Sequence, residues 1–238
     1  MTIQKSTVDE IRQRFDHETE VYTNLETGQL ATIDAPLTMA LIAEAAAVTT
    51  PHAQDFLDVG CGGGNYTLKM LERFPQLNVT LLDLSPNMLQ RARERVQPQV
   101  TGRLNVIQSD IREIELGHAQ FDLITASAVL HHLRATVEWQ AVFRRLFDAL
   151  KPNGSLWIFD IVESSVPELQ ALHWRRYGEY LASVGGEAYR EELFARIIAE
   201  DTPRSVPFQL ELLQSVGFSD VELLHKHSCY AAFGAMKR

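Results

Sequence analysis

Cysteine is scarce: Cys61 and Cys229 are the only two in 238 residues. That is too few for a disulfide framework, and they lie too far apart for a thiolate metal cluster of usual spacing, so a reducing, cytoplasmic setting is expected. Positive charge is also short, with 22 Lys and Arg against 31 Asp and Glu and a formal net charge of −9. Such a field repels phosphate backbones and acidic lipid surfaces, so neither nucleic acid nor a membrane is expected as a partner. No run of about 18 apolar residues occurs, and the opening MTIQKSTVDEIRQRFDHE has no apolar core of signal type, so no spanning or targeting segment is expected. Repeats and low-complexity stretches are absent as well. What remains is 45% hydrophobic, enough to bury the core of one sizeable unit.

Apolar residues at helical spacing (Val8, Ile11, Phe15) predict a short amphipathic helix from Thr7 to about His17, and a second helix is expected over Leu37–Val48, stopped by Thr49-Thr50-Pro51. A looser stretch, VYTNLETGQLATIDAP, joins them. After Pro51 the pattern alternates: strand DFLDVG, helix Asn65–Arg73, strand VTLLDL, helix Pro86–Val96, strands RLNVIQSD and FDLITAS, and helix Val137–Leu150. A Lys151-Pro152-Asn153-Gly154 turn then leads into strand SLWIFDIV. Strands apolar on both faces and separated by helices imply an α/β fold with a parallel sheet covered on both sides. Val166 to about Glu200 is helical in period and carries Trp174, Tyr177, Tyr180 and Tyr189, which predicts a lid insertion. A helix over Val206–Val216, ended by Gly217, precedes two strands, SDVELLHKH and CYAAFGAMK, close enough to pair as a hairpin. The expected organisation is one unit, 1–238, made of an N-terminal helical cap (1–50), a ligand-binding core (51–163), a helical lid (164–204) and a C-terminal helix with hairpin (205–238).

The most informative segment is Asp58-Val59-Gly60-Cys61-Gly62-Gly63-Gly64-Asn65, where the first core strand meets its helix. Glycines there let the backbone bend and let a ligand approach the main chain. A dinucleotide fingerprint would need glycine at 65, where Asn65 stands, and no Gly-Lys-Ser/Thr follows, so a phosphate-reading loop is disfavoured. A G-x-G-x-G turn suits an amino-acid tail. Asp83 closes the second strand near the offset at which a carboxylate takes two vicinal ribose hydroxyls. Asp110 closes the third, where it can accept from an adenine amine while Ile111 covers one ring face and Leu84 and Met88 the other. Singly, Asp58, Asp83 and Asp110 each have a local explanation as a cap or loop acid. Three acids at the tips of three successive strands favour a ligand site.

On these residues the chain resembles the class I S-adenosylmethionine-dependent methyltransferases over about Asp55–Val162 and the final strands, through LDVGCGGG, Asp83, Asp110, FDLITASAVLHHL and LKPNGSLWIFD. The resemblance implies a Rossmann-like, seven-stranded, mostly parallel sheet with helices on both faces and an antiparallel last strand. It implies S-adenosyl-L-methionine as cofactor and S-adenosyl-L-homocysteine as product. Gly60 with the neighbouring backbone of Cys61 and Gly62 would hold the methionine amino group, Ser127 or Ala128 would add a carbonyl, and Tyr22 or Gln29 would lie near the carboxylate.

In-line methyl displacement needs the acceptor held close and water excluded, and a hydroxyl or thiol acceptor also needs a base. His131 and His132 follow the fourth strand on the right edge, and Asp160 ends the fifth, so these three are the catalytic candidates. Each has an alternative role in packing or buried hydrogen bonding. Trp174, Tyr177 and Tyr180 fit either an acceptor wall or the core, and Arg175, Arg176 and Arg204 fit either a substrate carboxylate or surface ion pairs. No metal is expected, since no cluster has metal-ligand spacing, and no G-x-S-x-G is present. The leading expectation is methyl transfer to a small-molecule acceptor, with a homodimer left open. A GFSDVE-type ending and a lid with a late arginine resemble carboxy-S-adenosylmethionine synthases in part, and a non-catalytic S-adenosylmethionine-binding protein is a third reading.

Overall fold

The computed structural model describes residues 4–24 and 30–238. Strands β1 (Asp55–Val59), β2 (Asn78–Asp83), β3 (Leu104–Gln108), β4 (Phe121–Ser127), β5 (Leu150–Ile161), β6 (Asp220–His227) and β7 (Tyr230–Met236) form one sheet in the order β3-β2-β1-β4-β5-β7-β6. The first five are parallel, and β7 lies antiparallel between β5 and β6. This is the expected α/β sheet. Its order reverses between β1 and β4, which opens a crevice at the carboxyl ends, the usual ligand position in such sheets.

The two-residue period of the strands splits the core. Phe56, Leu81, Leu123, Trp157 and Phe159 face α3 (Ala35–Thr49), α4 (Asn65–Arg73), α5 (Pro86–Val96) and α7 (Pro167–Glu200). Leu57, Leu82, Ile124, Leu156 and Ile158 face α6 (Thr136–Ala149) and α8 (Val206–Val216). Local signals set several of these boundaries. Ser85 Oγ accepts from the Met88 amide at 3.1 Å with Pro86 in the first helical position, and Gly217 at φ 119° ends α8.

Three features differ from the sequence reading. The stretch after residue 18 begins with a short helix, α2 (Thr19–Thr23), behind α1 (Val8–His17). Residues 151–154 are not a turn ahead of β5 but a bulge inside it: pairing jumps from Phe121–Leu150 to Leu123–Ser155, and Asn153 sits at φ 64°. The lid is not one rod. Gly186 at φ 84° breaks α7, and the Trp174 and Phe194 rings lie 4.8 Å apart, so its two arms pack side by side. Tyr177, from the first arm, is fully buried and donates to the Ala31 carbonyl at 2.8 Å, so it belongs to the core while also bordering the carboxyl-edge cavity. Among the described residues no helix is long and apolar enough to cross a membrane.

Candidate active site

A cavity of about 290 Å³ occupies the carboxyl-edge crevice. Its floor is the turn after β1. Gly60 at φ 64° places its amide 2.8 Å from the Leu82 carbonyl, and a Cβ there would stand 2.6 Å from Val129. At Gly62, φ 50°, the direction a Cβ would take is open space. A side chain at 60 is therefore excluded by the protein, and one at 62 would project into empty room. Asp58 lies beneath, wholly buried, accepting from Thr67 Oγ1 at 2.6 Å and Thr125 Oγ1 at 2.8 Å, and burial pushes its carboxyl up to about 6. Cys61 lines the same floor, its thiol raised by burial.

Asp83, at the tip of β2, accepts the Gly62 amide on Oδ2 at 2.8 Å and the Ser85 amide on Oδ1 at 2.9 Å. Its carboxyl is raised, chiefly by burial, and each oxygen keeps a lone pair beyond these bonds. Leu84, Met88, Asp110, Ile111 and Ser127 also line the cavity. Asp110 is less free than its sequence position suggests, because Arg112 Nε donates to Oδ1 at 2.9 Å and Oδ2 at 3.1 Å. Burial works against its charge, but the Arg112 bonds outweigh that and hold the carboxyl low.

The cover comes from α1 and α7. Thr7 and Glu10 form a capping box that starts α1, and Asp16 near its end accepts from Ser85 Oγ at 2.5 Å, which fixes the helix over α5. Phe15 and Arg14 thereby reach the cavity. Arg14 donates to Glu200 Oε1 at 2.8 Å and to the Tyr22 hydroxyl at 2.9 Å, and Arg196 Nη1 donates to the same hydroxyl at 3.2 Å. Tyr22 thus sits on the cavity wall between two guanidinium groups; Gln29 lies outside the described residues.

The histidine pair is asymmetric. His131 is gripped by Asp160, which accepts from its Nδ1 and, at 3.1 Å, from its amide, while Asp201 Oδ1 stands 3.6 Å from its Nε2. Burial opposes charge on His131, but Asp160 and then Asp201 prevail and raise it to about 9, so it is an imidazolium near neutrality. His132 goes the other way. Burial first, and the neighbouring charged His131 second, hold it below the ordinary value. Its Nδ1 lies 3.3 Å from Asp201 Oδ1 without a well-aligned bond, and its Nε2 is buried with no hydrogen-bond partner.

A methyltransferase-domain family profile matches residues 56–154. The demethylmenaquinone methyltransferase of Listeria welshimeri is 28% identical over 189 residues, covering 76% of this chain and 78% of that one. Among solved structures, the Burkholderia thailandensis 1,6-didemethyltoxoflavin-N1-methyltransferase, with 1,6-didemethyltoxoflavin and S-adenosylhomocysteine bound, superposes with a TM-score of 0.63 at 18% identity over 98% of this chain and 91% of its own. Human N-acetylserotonin methyltransferase, in complex with S-adenosylmethionine, gives 0.61 at 18% identity over 97% of this chain, which spans 56% of the human one. Residues 56–154 carry a methyltransferase domain, and the relatives and the fold are those of a class I S-adenosylmethionine-dependent methyltransferase.

The cavity of this methyltransferase fits that cofactor on its own terms: a main-chain cradle open at Gly62, two acids at adjacent strand tips, and a buried Ser127 Oγ with no protein partner. The structure brings together Tyr22, Asp58, Gly60, Cys61, Gly62, Asp83, Leu84, Met88, Asp110, Ile111 and Ser127 on one cavity wall, with His131 and His132. Asp160 lies apart from the other candidates: its carboxylate accepts from His131 and from the Ile161 amide and is not part of the cavity lining. Arg204 is also off the wall, donating to the Arg134 carbonyl at 3.3 Å. Sequence reasoning missed Arg14 and Arg196, whose only signal was charge beside apolar positions of α1 and α7, and Asp201, which lies just past the end of α7.

The raised value of His131 makes a stability prediction for the methyltransferase. A histidine held at about 9 when folded and near 6.5 when unfolded contributes stability in full below pH 6.5 and loses it as pH rises through 9. Urea denaturation is expected to show a loss on the order of 3 kcal/mol between these limits. In His131→Gln most of that slope disappears; an unchanged slope would mean the imidazolium is not held this way.

Proposed function

We propose that this methyltransferase moves the cofactor's methyl group to a hydroxyl on a planar, apolar small molecule, met in the cytoplasm, with His132 as the base. The observation that carries this is a histidine of the cavity lining, held neutral by burial and by the neighbouring imidazolium, with a buried Nε2 that has no hydrogen-bond partner. S-adenosylmethionine supplies an electrophilic sulfonium methyl; the chain supplies position, dryness and a proton acceptor.

Gly60 and Gly62 would take the amino-acid tail against the main chain, with its carboxylate toward Tyr22 and Arg14. Asp83 would accept from ribose, Asp110 from the adenine amine, and Leu84, Met88 and Ile111 would cover the ring. Asp58, below the turn, would favour the cationic end of the tail. The far wall of Phe15, Phe159, Tyr177, Leu193, Ile197 and Tyr230 is apolar and aromatic, the surface a flat ring system stacks on. The ties from Arg14 to Glu200 and from the Ser6 amide to the Ala199 carbonyl close α1 and α7 over it and keep water out.

The test is methyl-labelled S-adenosylmethionine offered with demethylmenaquinone, 1,6-didemethyltoxoflavin and simple phenols. Label is expected in at least one hydroxylated acceptor, with S-adenosylhomocysteine released in equal amount. Tight cofactor binding with no acceptor-dependent release across such a panel would leave a binding protein instead.

A further inference from the structure

At the free edge of the sheet the fold gathers a second set of chemistry-bearing side chains, none of which lines the methyl-transfer cavity. His225 Nε2 and His227 Nδ1, two residues apart on β6, lie 2.9 Å and 2.8 Å from the same oxygen, Asp34 Oδ2. All three groups are partly exposed, and their ligand atoms fall within 4.8 Å of one another.

Two irregularities of the chain create this arrangement. In β6 the pairing shifts between Leu223, opposite Phe233, and His225, opposite Ala232, which leaves Leu224 as the extra residue of a bulge. With regular alternation His225 would oppose Ala231 and share the α6–α8 face with Phe233; the bulge turns both histidines to the face of Ala232 and Tyr230, where α3 lies. Asp34 occupies the N-cap of α3, a place where aspartate ordinarily caps the free amides, yet it makes no side-chain cap and sits at φ 59°. Its carboxylate is directed to the imidazoles instead.

We propose that Asp34, His225 and His227 form a zinc site, three protein ligands with a fourth position for water. Two imidazole nitrogens and one carboxylate oxygen suit a borderline transition-metal ion and not magnesium or calcium, which prefer all-oxygen sets. With bonds of about 2.0–2.2 Å, ligand atoms on a tetrahedral ion stand about 3.3 Å apart. The two histidine–aspartate spacings need to open by about half an ångström to reach that separation, a small rotation for side chains that are partly in solvent. This revises the expectation of no metal: a His-x-His pair on a strand shares one face, and its third ligand lies 191 residues before it. The ion would pin a cavity wall to the edge strand, since Ala31, Thr32 and Ala35 beside Asp34 line the cavity and α7 grips the same segment through Tyr177 and Tyr180.

Calorimetry of the chelator-treated full chain with zinc alone is expected to give one ion per chain. Its thermal midpoint should rise by about 5–10 °C at zinc a hundredfold above its dissociation constant. In the double variant His225→Gln, His227→Gln and in Asp34→Asn, which keep polar side chains, both signals should vanish. Persistence of one-to-one binding in either variant overturns the assignment. On the unmutated protein, zinc should move the imidazole nitrogen signals of His225 and His227 out of eight histidines; no movement, or movement of His131 and His132 alone, overturns it equally. None of these readouts depends on methyl transfer.

Discussion

Changing Asp83 to asparagine is expected to weaken S-adenosylhomocysteine binding about 100-fold while the protein stays folded. The carboxylate already accepts the Gly62 and Ser85 amides, one on each oxygen. Its remaining lone pairs are what two vicinal hydroxyls would use. Asparagine removes the charge and one acceptor, and its amide nitrogen must then face either a protein N–H or a ribose hydroxyl. Hydrogen bonds to charged groups contribute about 1.5–3 kcal/mol each, and 1.4 kcal/mol is tenfold in affinity, so losing one to two of them gives the stated factor. A modest loss of stability is expected as well, because the asparagine amide nitrogen can come to face the Gly62 or Ser85 N–H that the carboxylate now accepts. Calorimetric titration and a thermal melt separate the two effects. Wild type should also prefer S-adenosylhomocysteine over its 2′,3′-dideoxy analogue, and Asp83→Asn should not; equal affinity of wild type for both ligands would remove Asp83 from the ribose.

The features that reading depends on were legible because they are local. A Ser-Pro start, a glycine stop, strands apolar on both sides and acids at strand tips are each decided within about ten residues, and α4, α5, β4 and α8 fall where the sequence places them. The bulge at 151–154 was misread as a turn because Pro-Asn-Gly signals a reversal of direction, whereas here the chain resumes the same strand. The break in α7 was carried by Gly185-Gly186 inside an otherwise helical period, where a glycine pair has no single meaning until packing chooses one.

The site divides along the same line. Cofactor-side residues lie within one stretch of β-α-β rhythm, so their order fixed their place. Acceptor-side residues do not: Arg14 meets Glu200 across 186 positions, and His131 and His132 meet Asp201 across a helical hairpin. Asp160 and His131 looked like two independent catalytic groups and are one ion pair, a fact no spacing rule contains.

His132 follows from that ion pair. Burial first, and then the charge that Asp160 keeps on His131, hold His132 neutral, and a neutral imidazole with an unpartnered nitrogen is the form a general base needs. His132→Gln is expected to lower kcat about 100- to 10,000-fold, the usual span for a positioned base, with affinity for S-adenosylmethionine unchanged. The pH profile gives the sign independently. A base whose value is lowered from 6.5 stays competent through neutrality, so wild-type kcat should hold at pH 7 and fall only on acidification below pH 6.5. His132→Gln should lose that acid limb. His131→Gln should retain it but move it to higher pH, because the cationic neighbour that depresses His132 has gone. A His132→Gln enzyme within threefold of wild type would assign proton removal to water or to the acceptor itself. A limb that stays fixed in His131→Gln would show that burial alone, without the imidazolium, sets the state of His132.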